Sequence, residues 1–165
     1  MYAFIKPPKI CNSIYGEKNL SNDQQKVRSP QIFKYSKPED LSVGKSIVNL
    51  GTSGLLRGSV QIVKNGSGDN NLHIHTGMDG MWMVLKGEVT FYGPDEKIIG
   101  VFGVNEGIVM PHGNAYWFGS TGEIDLEILQ VVTWAPGIKD ERKDLTPQKG
   151  GVGPGKGQYS DARVH

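Results

Sequence analysis

Between residues 41 and 138 the chain places short apolar runs between turn-forming residues, and this spacing limits its fold more than any other feature. The runs are 46–50, 55–63, 71–75, 81–85, 88–91, 98–102, 107–110, 115–118 and 126–134. They are separated by breaks such as Asn65-Gly66-Ser67-Gly68, Tyr92-Gly93-Pro94-Asp95, Gly103-Val104-Asn105 and Gly119-Ser120-Thr121-Gly122. Gly, Asn and Asp supply the backbone conformations that tight turns demand. Strands of about five residues with a turn every 8–12 or so predict a β-sandwich or barrel. No stretch of about 12 residues keeps the 3.6-residue period of an amphipathic helix. The abundance of glycine, 23 residues, with nine prolines, points the same way.

The flanks differ from this centre. Residues 1–40 are polar and carry Pro7, Pro8, Pro30 and Pro38 among isolated apolar residues, and they read as an extended arm. Residues 139–165 open on a run of charged residues and continue as a Gly/Lys-rich tail. Within the tail, 150–157 nearly fits a phosphate-binding loop. Gly157 replaces the Ser or Thr that follows the lysine, and no strand–loop–helix context surrounds it, so a flexible tail is the better reading. The expected division is therefore arm 1–40, barrel 41–138 and tail 139–165.

Charge and cysteine usage restrict partners and compartment. Eighteen basic and 17 acidic residues leave a net charge of +1, which argues against a nucleic-acid partner. No run of about 18 apolar residues is present to span a membrane. The N-terminal residues 1–9 contain two prolines and no apolar core of a signal peptide. Cys11 is the only cysteine and cannot form an internal disulfide, so a reducing, cytoplasmic location is expected. It lies in the polar arm without an acid/base partner nearby and is not expected to be a nucleophile.

The chemistry concentrates at Asn71-Leu72-His73-Ile74-His75. Alternate residues of a strand share a face, so His73 and His75 point together, with Asn71 beside them. Two of the four histidines on one face are placed to share a metal ion or a substrate proton. Neutral imidazole suits Zn, Fe, Mn, Ni or Cu.

The segment from His73 to Gly87, ending Val84-Leu85-Lys86-Gly87-Glu88, resembles the first motif of the cupin superfamily. That motif is a Gly, five residues, His-x-His, three or four residues, Glu, six residues and Gly. About twenty residues later, 105–116 resembles the second motif, with Pro111-His112-Gly113 at its Pro-x-Gly. The resemblance covers roughly 42–135. It implies an all-β double-stranded β-helix, a jelly-roll barrel with the ligand inside its mouth, and a homodimer with N-terminal strands crossing between sheets.

Family members usually hold a metal through the two histidines, the glutamate and a second-motif histidine. Here Gly80 stands at the glutamate position, Tyr116 at the second-motif histidine, and Asn105 at that motif's opening Gly. Three arrangements follow. In the first, His73, His75 and Asp79 bind a divalent transition metal, with Tyr116 or water completing the shell. In the second, His73 or His75 acts as an acid/base without metal, as the resemblance to metal-free nucleotide-sugar ketoisomerases allows. In the third, the barrel binds a ligand without chemistry.

Further residues are expected to line the barrel. Trp82 shares the face of Gly80 and offers a platform for a flat ligand such as a sugar ring. Tyr116 and Phe118 point inward together, with Tyr116 as a hydrogen-bonding partner. Arg57 at the mouth suits a carboxylate or phosphate. Gln61 and Gln130 lie in apolar strands, where an inward amide needs a partner; Glu127 has the opposite parity from Gln130. His112 is expected at the rim. The favoured function is acid/base chemistry on a carbohydrate or nucleotide-linked sugar, of isomerase or epimerase type. His73, His75 and Tyr116 are its catalytic residues, and Trp82, Arg57, Gln61, Asn71, Phe118 and Gln130 are its binding residues.

Overall fold

The computed structural model of the protein describes residues 29–67, 69–134, 137–147 and 157–164. Cys11, most of the arm, 150–156 of the near phosphate-loop stretch and His165 lie outside the described residues. All nine expected strands form. They are β2 (Lys45–Thr52), β3 (Leu56–Val63), β4 (His73–His75), β5 (Met78–Lys86), β6 (Val89–Tyr92), β7 (Ile98–Phe102), β8 (Gly107–Met110), β9 (Ala115–Ser120) and β10 (Leu126–Trp134). Four more elements join them: β1 (Ile32–Phe33), β11 (Arg142–Asp144), β12 (Gln158–Asp161) and β13 (Arg163–Val164). The described residues contain no α-helix, only a short 3₁₀ turn at Pro94–Glu96, and no helix long and apolar enough to cross a membrane.

Two sheets face each other as a jelly roll. One has six strands in the order β12-β2-β3-β10-β5-β8, and the other five in the order β11-β4-β9-β6-β7. Their inner faces meet in a core of Val63, Trp82, Val84, Val89, Phe91, Met110, Tyr116, Phe118, Leu126 and Ile128. The outer face of the six-stranded sheet is also apolar. Val48, Leu50, Val60 and Ile62 pack there beneath Tyr35, Leu41 and Ala162. Burial on both faces explains why β3 and β10 read as continuous apolar runs rather than alternating ones. Glu127 follows its parity to this outer face, where Tyr35 Oη donates to it at 2.5 Å.

The glycine-rich composition has a packing reason at Gly107. A Cβ there would lie 1.8 Å from the Trp82 carbonyl oxygen, so β8 can press against β5 only because this residue has no side chain.

The C-terminal region differs from the expected tail. β11 pairs antiparallel with β4, β12 runs parallel to β2, and β13 pairs with β1. The barrel therefore does not stop at 138. A strand whose inward residues are charged gives no hydrophobic alternation, which is why the run at 139–144 does not read as one.

Candidate functional site

β4 and β11 build the site together. Register pairs His75 with Arg142 and His73 with Asp144, while His73 faces Tyr116 of β9 on the other side. The histidine rings are 5.3 Å apart, and His73 lies 4.6 Å from the Tyr116 ring. Trp82 continues the row, 5.4 Å from Tyr116.

Each imidazole is oriented by a different acceptor. His73 Nδ1 lies 2.8 Å from the Asn71 carbonyl and donates to it, which leaves the lone pair on Nε2. His75 Nδ1 lies 2.7 Å from Asp140 Oδ2 and donates to that carboxylate. The other oxygen of Asp140 accepts from the Gly77 backbone N–H at 3.0 Å, which fixes the carboxylate in turn. Burial would raise Asp140, but the bonds from His75 and Gly77 override it and hold the carboxyl below its usual range. His73 is 2% exposed. That burial, aided by the nearby Arg142 cation, pulls its imidazole down to about 4, so it is neutral at ordinary pH. Burial raises the Tyr116 phenol, with Arg142 opposing and Asp140 adding, so it stays protonated.

Arg142 ties this end of the barrel together. Its Nη2 donates to Asn71 Oδ1 at 2.7 Å and its Nε to Asp144 Oδ1 at 2.8 Å. Asn71 also donates to the Thr146 carbonyl at 3.0 Å. Both ends of that amide are bound within the chain. Lys45 is a further buried cation nearby. It donates to Asn70 Oδ1 at 2.9 Å and sits 5.2 Å from the Phe118 ring centre; burial pulls it down to about 8.

The remaining expected residues separate into inward and outward sets. Trp82, Phe118, Gln61 and Gln130 all face inward, and Gln61 Nε2 donates to Gln130 Oε1 at 2.7 Å. Trp82 is too deeply buried, at 2% exposure, to present an open ring face. Phe118 packs 5.1 Å from Phe91 as core. Arg57 is exposed and lies 5.6 Å over the Trp134 ring. Asp140, Arg142, Asp144 and Lys45 were not expected from the sequence. The signal for the first three is their alternate spacing, which puts residues 140, 142 and 144 on one strand face.

Asp79 does not join the histidines. Its neighbours Gly80 and Trp82 define the inward parity of β5, so its own side chain points out. There Asp79 Oδ1 accepts from His112 Nδ1 at 2.7 Å and from the His112 backbone at 2.8 Å. The pair is solvent-facing at the rim, with side chains 53% and 57% exposed. The three-ligand set of His73, His75 and Asp79 is therefore not brought together. A family-type metal centre finds no substitute either. A Cβ on Gly80 would lie 2.2 Å from the Trp82 indole, so tryptophan fills the space of the usual carboxylate. Among the described residues no group of three or more His, Cys, Asp and Glu is placed to hold a metal. The residues present do not fit the ion that the motifs imply.

No family model and no curated protein matches the chain. Solved structures do. KdgF from Halomonas sp. superposes with a TM-score of 0.55 at 14% identity, covering 66% of this chain and 97% of that one. An RmlC-like cupin protein from Desulfovibrio desulfuricans gives 0.50 at 17% identity, covering 59% and 89%. Vicilin from tomato, Solanum lycopersicum, gives 0.47 at 22% identity; the alignment covers 55% of this chain and only 25% of vicilin. At these identities the first two likenesses carry the fold alone. With the first motif on β4 and β5 and the second on β8 and β9, the chain has the fold of the cupin proteins it superposes on.

Proposed function

We propose that this chain is a small-molecule cupin that moves a proton by histidine chemistry without a metal. The observation that carries this reading is the His75–Asp140 pair at 2.7 Å inside the barrel. A carboxylate that accepts the Nδ1 proton selects the tautomer with a basic Nε2 and stabilises the imidazolium that forms when Nε2 takes a proton. Tyr116, kept protonated by burial, is the acid of the pair. Neutral His73 orients polar groups of the ligand and adds no charge that would oppose protonation of His75.

The reaction class is proton transfer beside a carbonyl. His75 Nε2 takes a proton from the carbon next to the carbonyl, and Tyr116 donates to the carbonyl oxygen as charge develops there. Return of the proton from His75 to the neighbouring carbon of the enediol, with Tyr116 recovering its proton from the second hydroxyl, gives isomerisation; delivery of a solvent proton to the opposite face of the same carbon, with Tyr116 recovering its proton from the enol, gives epimerisation. The favoured ligand class is a carbohydrate or nucleotide-linked sugar, because the inward polar groups of this interior, the His75–Asp140 pair, the Tyr116 hydroxyl and the Gln61–Gln130 amides, suit a ligand rich in hydroxyl groups.

The test is solvent exchange. The full chain is incubated in D2O with a panel of aldoses, ketoses, uronates and nucleotide-linked keto sugars, and the C–H beside the carbonyl is followed by proton NMR. Exchange is expected for at least one member, falling about a hundredfold or more in His75→Ala. Exchange that survives this substitution would remove His75 from the mechanism. A panel without exchange would remove the sugar class.

A further inference from the structure

We infer that the chain has a second ligand site on the outer face of the six-stranded sheet, a slot that takes one uncharged, apolar small molecule. The slot is a cavity of about 580 Å³ between the arm and strands β2, β3 and β10. Small-molecule pockets span roughly 300–1,000 Å³, so the volume fits that class. Pro30 and Phe33 of the arm form one wall, and Leu50, Leu56, Leu129 and Val131 of the sheet form the other. The site is independent of the histidines, which face the interior on the opposite side of this sheet.

One side chain fastens the arm over the sheet. Gln31 Nε2 donates to the Thr52 carbonyl at 2.6 Å, and Gln31 Oε1 accepts from the Thr52 N–H at 3.1 Å. Gly51 lets that side chain lie close, since a Cβ there would sit 3.2 Å from Gln31 Oε1. Gly58, directly opposite Gly51 in the register, is a different case. Among the described residues a Cβ on Gly58 would meet only Leu50 Cβ, at an ordinary 3.8 Å. Packing does not demand a glycine at 58. Its missing side chain leaves volume to the cavity.

The walls select the occupant. No charged side chain lines the cavity. A carboxylate or ammonium would enter without a counter-ion, and an unpaired charge is costly to bury. Polar groups beside the slot are already engaged. Both ends of the Gln31 amide are bound to Thr52, the Thr52 hydroxyl donates to the Leu56 carbonyl at 3.3 Å, and Ser53 Oγ accepts from the Leu56 N–H at 3.1 Å. What remains is a hydrocarbon surface, and Phe33 and Leu56 stay 51% and 42% exposed at its edge. An apolar occupant takes that surface out of water. Twelve residues line the slot, against roughly 20–30 a side in a standard protein interface, so its size suits a small molecule rather than a second copy of the chain.

The test uses the full chain and the neutral fluorophore N-phenyl-1-naphthylamine. Saturable binding of one probe per chain is expected, with displacement by 1-decanol and far weaker displacement by decanoate. Gly58→Val puts a strand-favouring side chain into the cavity. It should weaken probe binding by at least about tenfold without lowering the melting temperature. Val131→Phe fills the same space from β10 if the valine variant does not fold. Equal affinity in the filled and unfilled chains would place the probe elsewhere and overturn the site. Decanoate that displaces the probe as well as decanol does would overturn the uncharged class. Sedimentation at the same concentrations covers the remaining occupant: a dimer that takes up probe only where dilution has made it monomeric would give the slot to a second copy and overturn the proposal. Absence of saturable binding at every concentration would overturn it as well, and none of these outcomes bears on the proton-transfer reading.

Discussion

His75 and Asp140 are 65 residues apart in sequence and 2.7 Å apart in space, and the proposed proton transfer depends on that separation being closed. Asp140→Asn keeps the shape of the side chain and removes the charge that stabilises imidazolium. Deuterium exchange catalysed by the chain is expected to fall by about 10²–10⁴, with the fold unchanged by circular dichroism. The histidines themselves were legible, because alternation along one strand needs no knowledge of the rest of the fold. Asp140 was not legible, because its partner lies on a strand that only the fold brings near. Asp79, the carboxylate nearest the histidines in sequence, is the converse case. It follows the pleat of β5 outward, so closeness along the chain gave the wrong neighbour. Gly80 shows how the same position excludes a ligand. Gly80→Ala would push a methyl into the buried Trp82 indole, which lies 2.2 Å from the ideal Cβ position. A loss of about 1–3 kcal/mol in denaturant unfolding is expected, and it should be smaller when Trp82 is also changed to leucine.

At the scale of elements, β11 decides what the site can be. It supplies Arg142 and Asp144, and the turn before it supplies Asp140. The nine strands of the central region were legible from turn spacing and apolar runs, whereas β11 and β12 were not. β11 hides in a charged run, and β12 pairs parallel with β2, a connection that no local pattern announces. A chain ended after residue 138 would retain both motifs but bare the edges of β4 and β2. It is expected to melt well below the full chain, and any exchange activity should be lost with Asp140. Equal melting temperatures for the two chains would show that β11 and β12 add nothing to the barrel.

For the whole molecule, burial of a neutral histidine couples stability to pH. His73 titrates near 6.5 when unfolded and at about 4 in the fold. Below the unfolded value the unfolded chain takes up a proton that the folded chain does not, so stability falls as pH drops from 6.5 toward 4. The shift corresponds to about 3 kcal/mol once both values are passed. Urea midpoints at pH 7 and pH 4.5 should therefore differ, and His73→Gln should flatten the difference. The carboxylates held low, such as Asp140, act in the same direction but only at lower pH, as they are protonated. The jelly-roll architecture was legible from the two motifs together. Two of their usual metal-ligand positions hold other residues, and packing shows how: an indole occupies the place of the missing carboxylate, and a protonated tyrosine that of the missing histidine.

Whether the barrel is a proton-transfer site or a metal centre is tested most directly by long-range proton–nitrogen NMR of the histidine rings, before and after one equivalent of Zn2+. The expected spectrum shows His73 as the neutral form protonated at Nδ1 and His75 with a proton on Nδ1 toward Asp140, with both rings unmoved by the ion. Stoichiometric shifts at Nε2 of both rings on adding Zn2+ would contradict it and make this interior a metal site.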